Sequence, residues 1–179
     1  HEVLLQKLDK AAGVRDDALR LVASFLEGRR QRVRLAGGRK SDWVELDSGT
    51  PQGAVFSPLL WAVAIADMPA CIDGEVVCFA DDANVCVSDR DPEKVRLKMN
   101  RAMAHVSRYM RTNRIFPSAD KTQLMLIPQK VAKKSDAERT LTCVMDGEEI
   151  EPTATITVLG AVVDDQLTGE AHATAAAHK

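Results

Sequence analysis

The run VVCFADDANVCV, Val76 to Val87, sets the tightest limit on what this chain can fold into. Asp81 and Asp82 stand side by side between two apolar segments. Short runs rich in Val and Phe suit strands of a sheet. Two adjacent carboxylates, in contrast, are not buried without partners. A β-hairpin meets both demands, because its strands stay within the sheet while its turn carries the aspartates to an edge. Successive side chains on a regular strand point to opposite faces, but at a tight turn neighbours can converge. Converging anions repel and need a counter-charge. A divalent cation is the natural one, and Mg²⁺ favours carboxylate and phosphate oxygens. A plainer explanation stands beside this: Asp is a common turn residue. The two residues alone do not choose between them.

The frame around the motif excludes several classes. The 179 residues suffice for one domain with a core, or one domain and part of another. A hydrophobic share of 45% excludes a disordered chain. The longest apolar run, Leu59 to Ala66, is too short to span a bilayer, so no membrane partner is expected. A helical pattern starts at once with HEVLLQKL, without Met or a visible signal peptide, and the chain reads as a segment of something longer. The net charge of −2 supplies no global field toward nucleic acid. Locally, EGRRQRVRLAGGRK, from Glu27 to Lys40, sets six basic residues against one acid. Cys71, Cys78, Cys86 and Cys143 form no CxxC pair and no zinc or disulfide spacing, which predicts buried thiols in a reducing compartment.

Periodicity orders the rest. EVLLQKLDKAAG and RDDALRLVASFLEG each carry a helical stripe, Val3, Leu4, Leu5 and Leu8, then Leu19, Val22, Phe25 and Leu26, with Gly13 and Gly28 behind them. QRVRLAGG alternates, which predicts a half-buried strand with Arg32 and Arg34 outward and Val33 and Leu35 inward. DWVEL completes a basic hairpin with it. Gly49 and Gly53 bracket Pro51-Gln52, and Ser57-Pro58 then opens an apolar helix, with Ser at the N-cap. Asp89 or Asp91 caps a long helix whose stripe is Val95, Met99, Ala102, Val106 and Tyr109. TQLMLIP reads as a short strand, LTCVMDGEEI as a hairpin about Asp146-Gly147, and TITVLGAVVDD as a further strand-like run. The charged stretch from Gln129 to Arg139 reads as a loop, and the Ala- and His-rich tail as no element.

The company of the Asp-Asp pair decides its reading. SGTPQGAVFSPLLWAVAIADMP followed by VVCFADDANVCV closely resembles the palm of reverse transcriptases, in particular the jockey-like, non-long-terminal-repeat retrotransposon class. The matching parts are the Gly-x-Pro-Gln-Gly loop at Gly49 to Gly53, the Ser-Pro-Leu-Leu helix at Ser57 to Leu60, and the Phe-Ala-Asp-Asp hairpin at Phe79 to Asp82. SRYMRTNRIFPSADKTQLML resembles the helix, loop and Lys-Thr strand that follow. VLGAVVDDQLTGEAH resembles the Leu-Gly hairpin near the primer end.

The resemblance implies RNA-directed DNA polymerase activity, with RNA template, DNA primer and deoxynucleoside triphosphates as partners, together with the remaining domains of a parent polyprotein. It implies Mg²⁺ or Mn²⁺ held by Asp81 as ligand and Asp82 as supporting carboxylate, since two metals stabilise attacking and leaving oxygens. Phe79 stands where Tyr is usual, beside the primer or nucleotide sugar. Gly49, Pro51, Gln52 and Gly53 would approach the template–nucleotide pair. Lys121 would protonate the departing pyrophosphate. Arg32 and Arg34 would meet template phosphates, although a solvated hairpin face explains them as well.

The implied fold is α/β of the α+β kind: a ferredoxin-like antiparallel sheet with helices, plus part of the fingers. Residues 1–50 would be partial fingers and palm with the basic hairpin, 51–128 the palm core, and 129–179 the end of the palm with a primer-grip-like hairpin. Cytoplasm and nucleus are the implied locations. Ser118 departs from the family's Asn, and Gly169 from its aromatic. The family's first catalytic aspartate lies upstream of the residues matching HEVLLQKL, and Asp9, Asp16 and Asp17 do not match it. The segment alone is therefore expected to be inactive. The alternatives are a non-catalytic nucleic-acid-binding remnant, and a nucleotide cyclase-like palm, against which the Pro-Gln-Gly loop argues.

Overall fold

The structure, a computed structural model, describes residues 1–128 and 141–177. The expected loop from Gln129 to Arg139 lies outside the described residues. The chain packs as two units, His1–Pro69 with Cys78–Ala83, and Ala70–Val77 with Asn84–Lys179.

The first unit is built on three helices, α1 (Glu2–Lys10), α2 (Asp16–Leu26) and α3 (Ser57–Ile65). Leu4 and Leu8, and Val22 and Leu26, are spaced four apart and so share one face of their helices. These four side chains close a core with Leu60 of α3, which is fully buried. Burial of each such side chain contributes about 1.5–3 kcal/mol, which fixes α3 against α1. Lys7 of α1 reinforces this by reaching the Ala64 carbonyl at 2.7 Å and Asp67.

The basic hairpin forms, but shorter and more open than its alternation predicts. Strand β1 (Arg30–Gln31) pairs antiparallel with β2 (Val44–Glu45), Arg30 opposite Glu45. A bridge between Arg34 and Lys40 closes a 3-10 turn at Ala36–Gly38. Val33 and Leu35 are 62% and 49% exposed, so the expected inward face does not exist. Alternation buries a strand face only where a second layer covers it, and none covers this one among the described residues.

After the single turn α4 (Met68–Cys71), strands β3 (Glu75–Phe79) and β4 (Asp82–Cys86) pair as the expected hairpin. In the second unit, α5 (Pro92–Thr112) starts at Asp91, whose carboxylate accepts from the Glu93 N–H at 3.0 Å. Its buried stripe includes Ala102, Val106 and Tyr109. It packs on β5 (Cys143–Met145), and Asn100 accepts from the Val144 N–H at 2.9 Å. Strand β5 pairs with β6 (Glu148–Ile150) about Asp146-Gly147, as predicted. Strands β7 (Thr155–Val158) and β8 (Ala161–Asp164) form a hairpin about Leu159-Gly160.

The α+β class expected from the sequence is the class observed. Among the described residues the strands pair two by two and do not form one continuous sheet. Three local expectations are corrected. TQLMLIP is not a strand: Leu124 alone bridges to Pro152, and a proline has no N–H with which to extend a ladder. The tail is not structureless: α6 (Glu170–Ala177) packs on β8, because Ala has the highest helix propensity and Asp164 accepts from the Thr168 and Gly169 N–H groups before its first turn. The cysteines are not a buried set: Cys71 and Cys86 are exposed, Cys78 is half-buried, and only Cys143 is buried. Burial pushes the Cys143 thiol pKa up. No helix among the described residues is long and apolar enough to cross a membrane.

Candidate active site

The Asp-Asp hairpin turns through two residues, Ala80 and Asp81, between the end of β3 and the start of β4. Ala80 has φ +51°, the left-handed region, while Asp81 does not. A positive φ at the first residue of a two-residue hairpin loop favours Gly. An Ala there costs about 1–2 kcal/mol of backbone strain, and strain of this kind collects at functional sites.

The strained peptide is tied from outside. The Trp61 indole N–H donates to the Ala80 carbonyl oxygen at 2.7 Å. Trp61 lies on α3, next to the fully buried Leu60, so its backbone is held by the core of the unit. Four residues earlier on the same helix, the Ser57 hydroxyl donates to the Pro51 carbonyl. Ser57 is therefore not the predicted N-cap: Phe56 takes that position, and the hydroxyl binds the Pro-Gln-Gly loop instead. Residues four apart on a helix face the same way, about 6 Å apart along the axis. The Pro-Gln-Gly loop and the Asp-Asp turn are thus tethered to one side of α3.

The loop itself explains its glycines. Gly49 and Gly53 have φ +77° and +80°, and nothing lies within 4 Å of a Cβ built on either. Backbone conformation, not crowding inside the unit, requires glycine at both. The His1 ring donates to the Gly49 carbonyl at 3.0 Å, which holds the start of the loop near α1. Gln52 is exposed and Pro51 half-buried.

Asp81 and Asp82 are both exposed, and neither carboxylate forms an ion pair or hydrogen bond among the described residues. Phe79, at the end of β3, is 61% exposed. No group of three or more His, Cys, Asp or Glu able to share a metal occurs among the described residues. The two carboxylates nonetheless fit a hard divalent cation by donor chemistry, being adjacent, unengaged oxygen ligands. They would hold such an ion as part of its coordination shell.

The other sequence candidates lie apart from this turn in the chain. Lys121 ends a 3-10 turn, Ala119–Lys121, in the second unit, where it is exposed. Arg32 stacks on Trp43, its guanidinium carbon 4.3 Å from the ring centroid, and Arg30 approaches the same ring at 5.7 Å. Arg34 is exposed and bridges through its backbone to Lys40.

Trp61 and Trp43 are the two residues that reading the sequence missed. Trp43 was detectable, because an aromatic among arginines is a nucleic-acid signal. Trp61 was not, because its apolar helix accounts for it without the N–H.

Residues 1–163 match the model of a protein family described as reverse transcriptase (RNA-dependent DNA polymerase). No curated protein and no solved structure matches the chain.

Proposed function

Because the chain belongs to the reverse transcriptase family, we propose that Asp81 and Asp82 are the metal-binding carboxylates of its nucleotidyl-transfer site. The observation that carries this reading is the turn: two adjacent carboxylates without partners among the described residues, at a strained peptide tethered to the helix that also holds the Pro-Gln-Gly loop. A divalent cation there supplies charge stabilisation to phosphoryl oxygens. The chain's own residues do the rest. Gln52, with Gly49, Pro51 and Gly53, lines the approach of the template–nucleotide pair. The Phe79 ring packs beside a sugar, and Lys121 gives a proton to the departing pyrophosphate. The wider reading is DNA synthesis on RNA by a jockey-like, non-long-terminal-repeat retrotransposon, alongside the other domains of a polyprotein, in cytoplasm and nucleus.

None of Asp9, Asp16 or Asp17 matches the family's first catalytic aspartate, so these 179 residues alone should not extend a primer. A chain that also carries the family's first catalytic aspartate should do so on an RNA template with Mg²⁺. There, Asp81→Asn should slow extension by several orders of magnitude, because it removes a ligand that acts on transition-state charge. Extension at a near-normal rate by the variant would refute the assignment.

A second reading, a binding remnant without catalysis, is favoured by Arg30 and Arg32 gathered on the exposed Trp43. Replacing Arg32 and Arg34 together by Ala should weaken RNA binding regardless of sequence and flatten the log–log salt slope by about 1–2. An unchanged slope would mark this face as solvated surface.

A further inference from the structure

We infer that Trp61 is a positioning residue that orients Asp81 through the Ala80 carbonyl. The inference rests on the metal-binding reading of Asp81 and Asp82 above. Its basis is the planarity of the peptide bond. The oxygen that Trp61 holds at 2.7 Å belongs to the Ala80–Asp81 peptide, whose plane also contains the Asp81 nitrogen and Cα. Fixing that oxygen fixes the base from which the Asp81 side chain departs.

The turn needs such a tie. Ala80 sits at φ +51°, a conformation an alanine leaves readily when nothing opposes it. Among the described residues neither the Asp81 nor the Asp82 carboxylate has a hydrogen bond or ion pair that would oppose a flip of this peptide. Trp61 can oppose it because α3 is anchored by Leu60 in the core, so the indole is presented from a rigid element. A half-buried indole also carries one donor and no acceptor, so its N–H seeks a carbonyl. The bond spans nineteen residues of sequence and joins the helix to the turn without involving either carboxylate.

The test uses the ¹⁵N-labelled chain and Mn²⁺ as the metal probe. There are two tryptophans, and Trp43→Phe identifies which indole N–H signal belongs to Trp61. That proton should exchange slowly with water, and Mn²⁺ should broaden it in the parent. The broadening should vanish when Asp81 and Asp82 are both replaced by Asn. Trp61→Phe, which keeps an aromatic ring and removes the donor, should shift or broaden the Asp81 amide signal. It should also weaken Mn²⁺ binding by about 2- to 10-fold, the range of one hydrogen bond, with the melting temperature close to that of the parent. If Trp61→Phe unfolds the chain, 3-benzothienylalanine at position 61 keeps the shape of the indole without its N–H and should give the same two effects. An unmoved Asp81 amide together with full Mn²⁺ affinity overturns the positioning role and leaves the metal reading intact. Mn²⁺ binding that ignores Asp81 and Asp82 in the parent overturns the metal reading itself, and the role of Trp61 falls with it.

Discussion

The Asp146-Gly147 turn and the Ala80-Asp81 turn solve one backbone problem in two ways. Both reverse a hairpin through two residues. At the first, φ is +52° and +89°, the pattern of a type I′ turn, and the Asp-Gly pair suits it without outside help. At the second, φ is positive only at Ala80, and neither residue is glycine. Its conformation is held by an indole from α3. One turn is stable because of what it is made of, and the other because of where it is. Local chemistry is enough for a turn that only joins strands. The Ala80-Asp81 turn lacks the favourable residue and depends on the rest of its unit.

The comparison is broken most forcefully through α3. Leu60→Ala empties a fully buried position, at a cost of about 2–5 kcal/mol. Amide exchange at Ala80 to Ala83 should then accelerate more than exchange at Cys143 to Ile150. Equal acceleration in both hairpins would show that the Asp-Asp turn does not depend on its helix.

Reciprocal glycine changes give a smaller and sharper effect. Gly147→Ala meets no atom within 4 Å, so its cost is conformational, about 1–2 kcal/mol. Ala80→Gly relieves strain but loosens the unfolded chain, and should stabilise by less than about 1 kcal/mol. Denaturant midpoints should therefore move in opposite directions. Two losses would mean that Ala80 is not strained.

The smallest effect concerns the carboxylates themselves. Among the described residues the Asp81 carboxylate has no partner, whereas Asp89 binds the Lys98 ammonium at 2.8 Å and accepts from the Asp91 N–H at 3.1 Å. Lys98 first, and the Asp91 N–H second, hold the Asp89 pKa at about 2, below the usual 3.8. The folded state thus binds this proton less readily than the unfolded one. The stability it contributes is complete above pH 3.8 and is lost as pH falls through about 2. The melting-temperature gap between the parent and Asp89→Asn should narrow from pH 5 to pH 2. A constant gap would mean that Asp89 is only solvated.

The same contrast sets how much was legible beforehand. Helices α1, α2 and α5, the Asp91 cap, the Asp-Asp hairpin and the Asp146-Gly147 turn all follow from period, capping and turn chemistry, which act within a few residues. The open face at Val33 and Leu35 did not, because alternation cannot say whether a second layer arrives. Nor did the fate of TQLMLIP, which depended on a proline meeting Leu124 from far along the chain. Helix α6 was hidden by a low-complexity tail whose N-terminal support comes from Asp164 on a neighbouring strand.

At the site, the sequence by itself determined the family, through the Pro-Gln-Gly loop and the Asp-Asp hairpin; it expected Asp81 and Asp82 to form the turn, whereas the turn is Ala80-Asp81, and Asp82 opens β4. The loop and the hairpin are properties of residue type and spacing along the chain. Only the tertiary structure decided that the Ser57 hydroxyl leaves the cap to hold Pro51, and that Trp61 holds Ala80. A side-chain hydrogen bond between distant residues depends on where packing sets two backbones, and no local pattern encodes that.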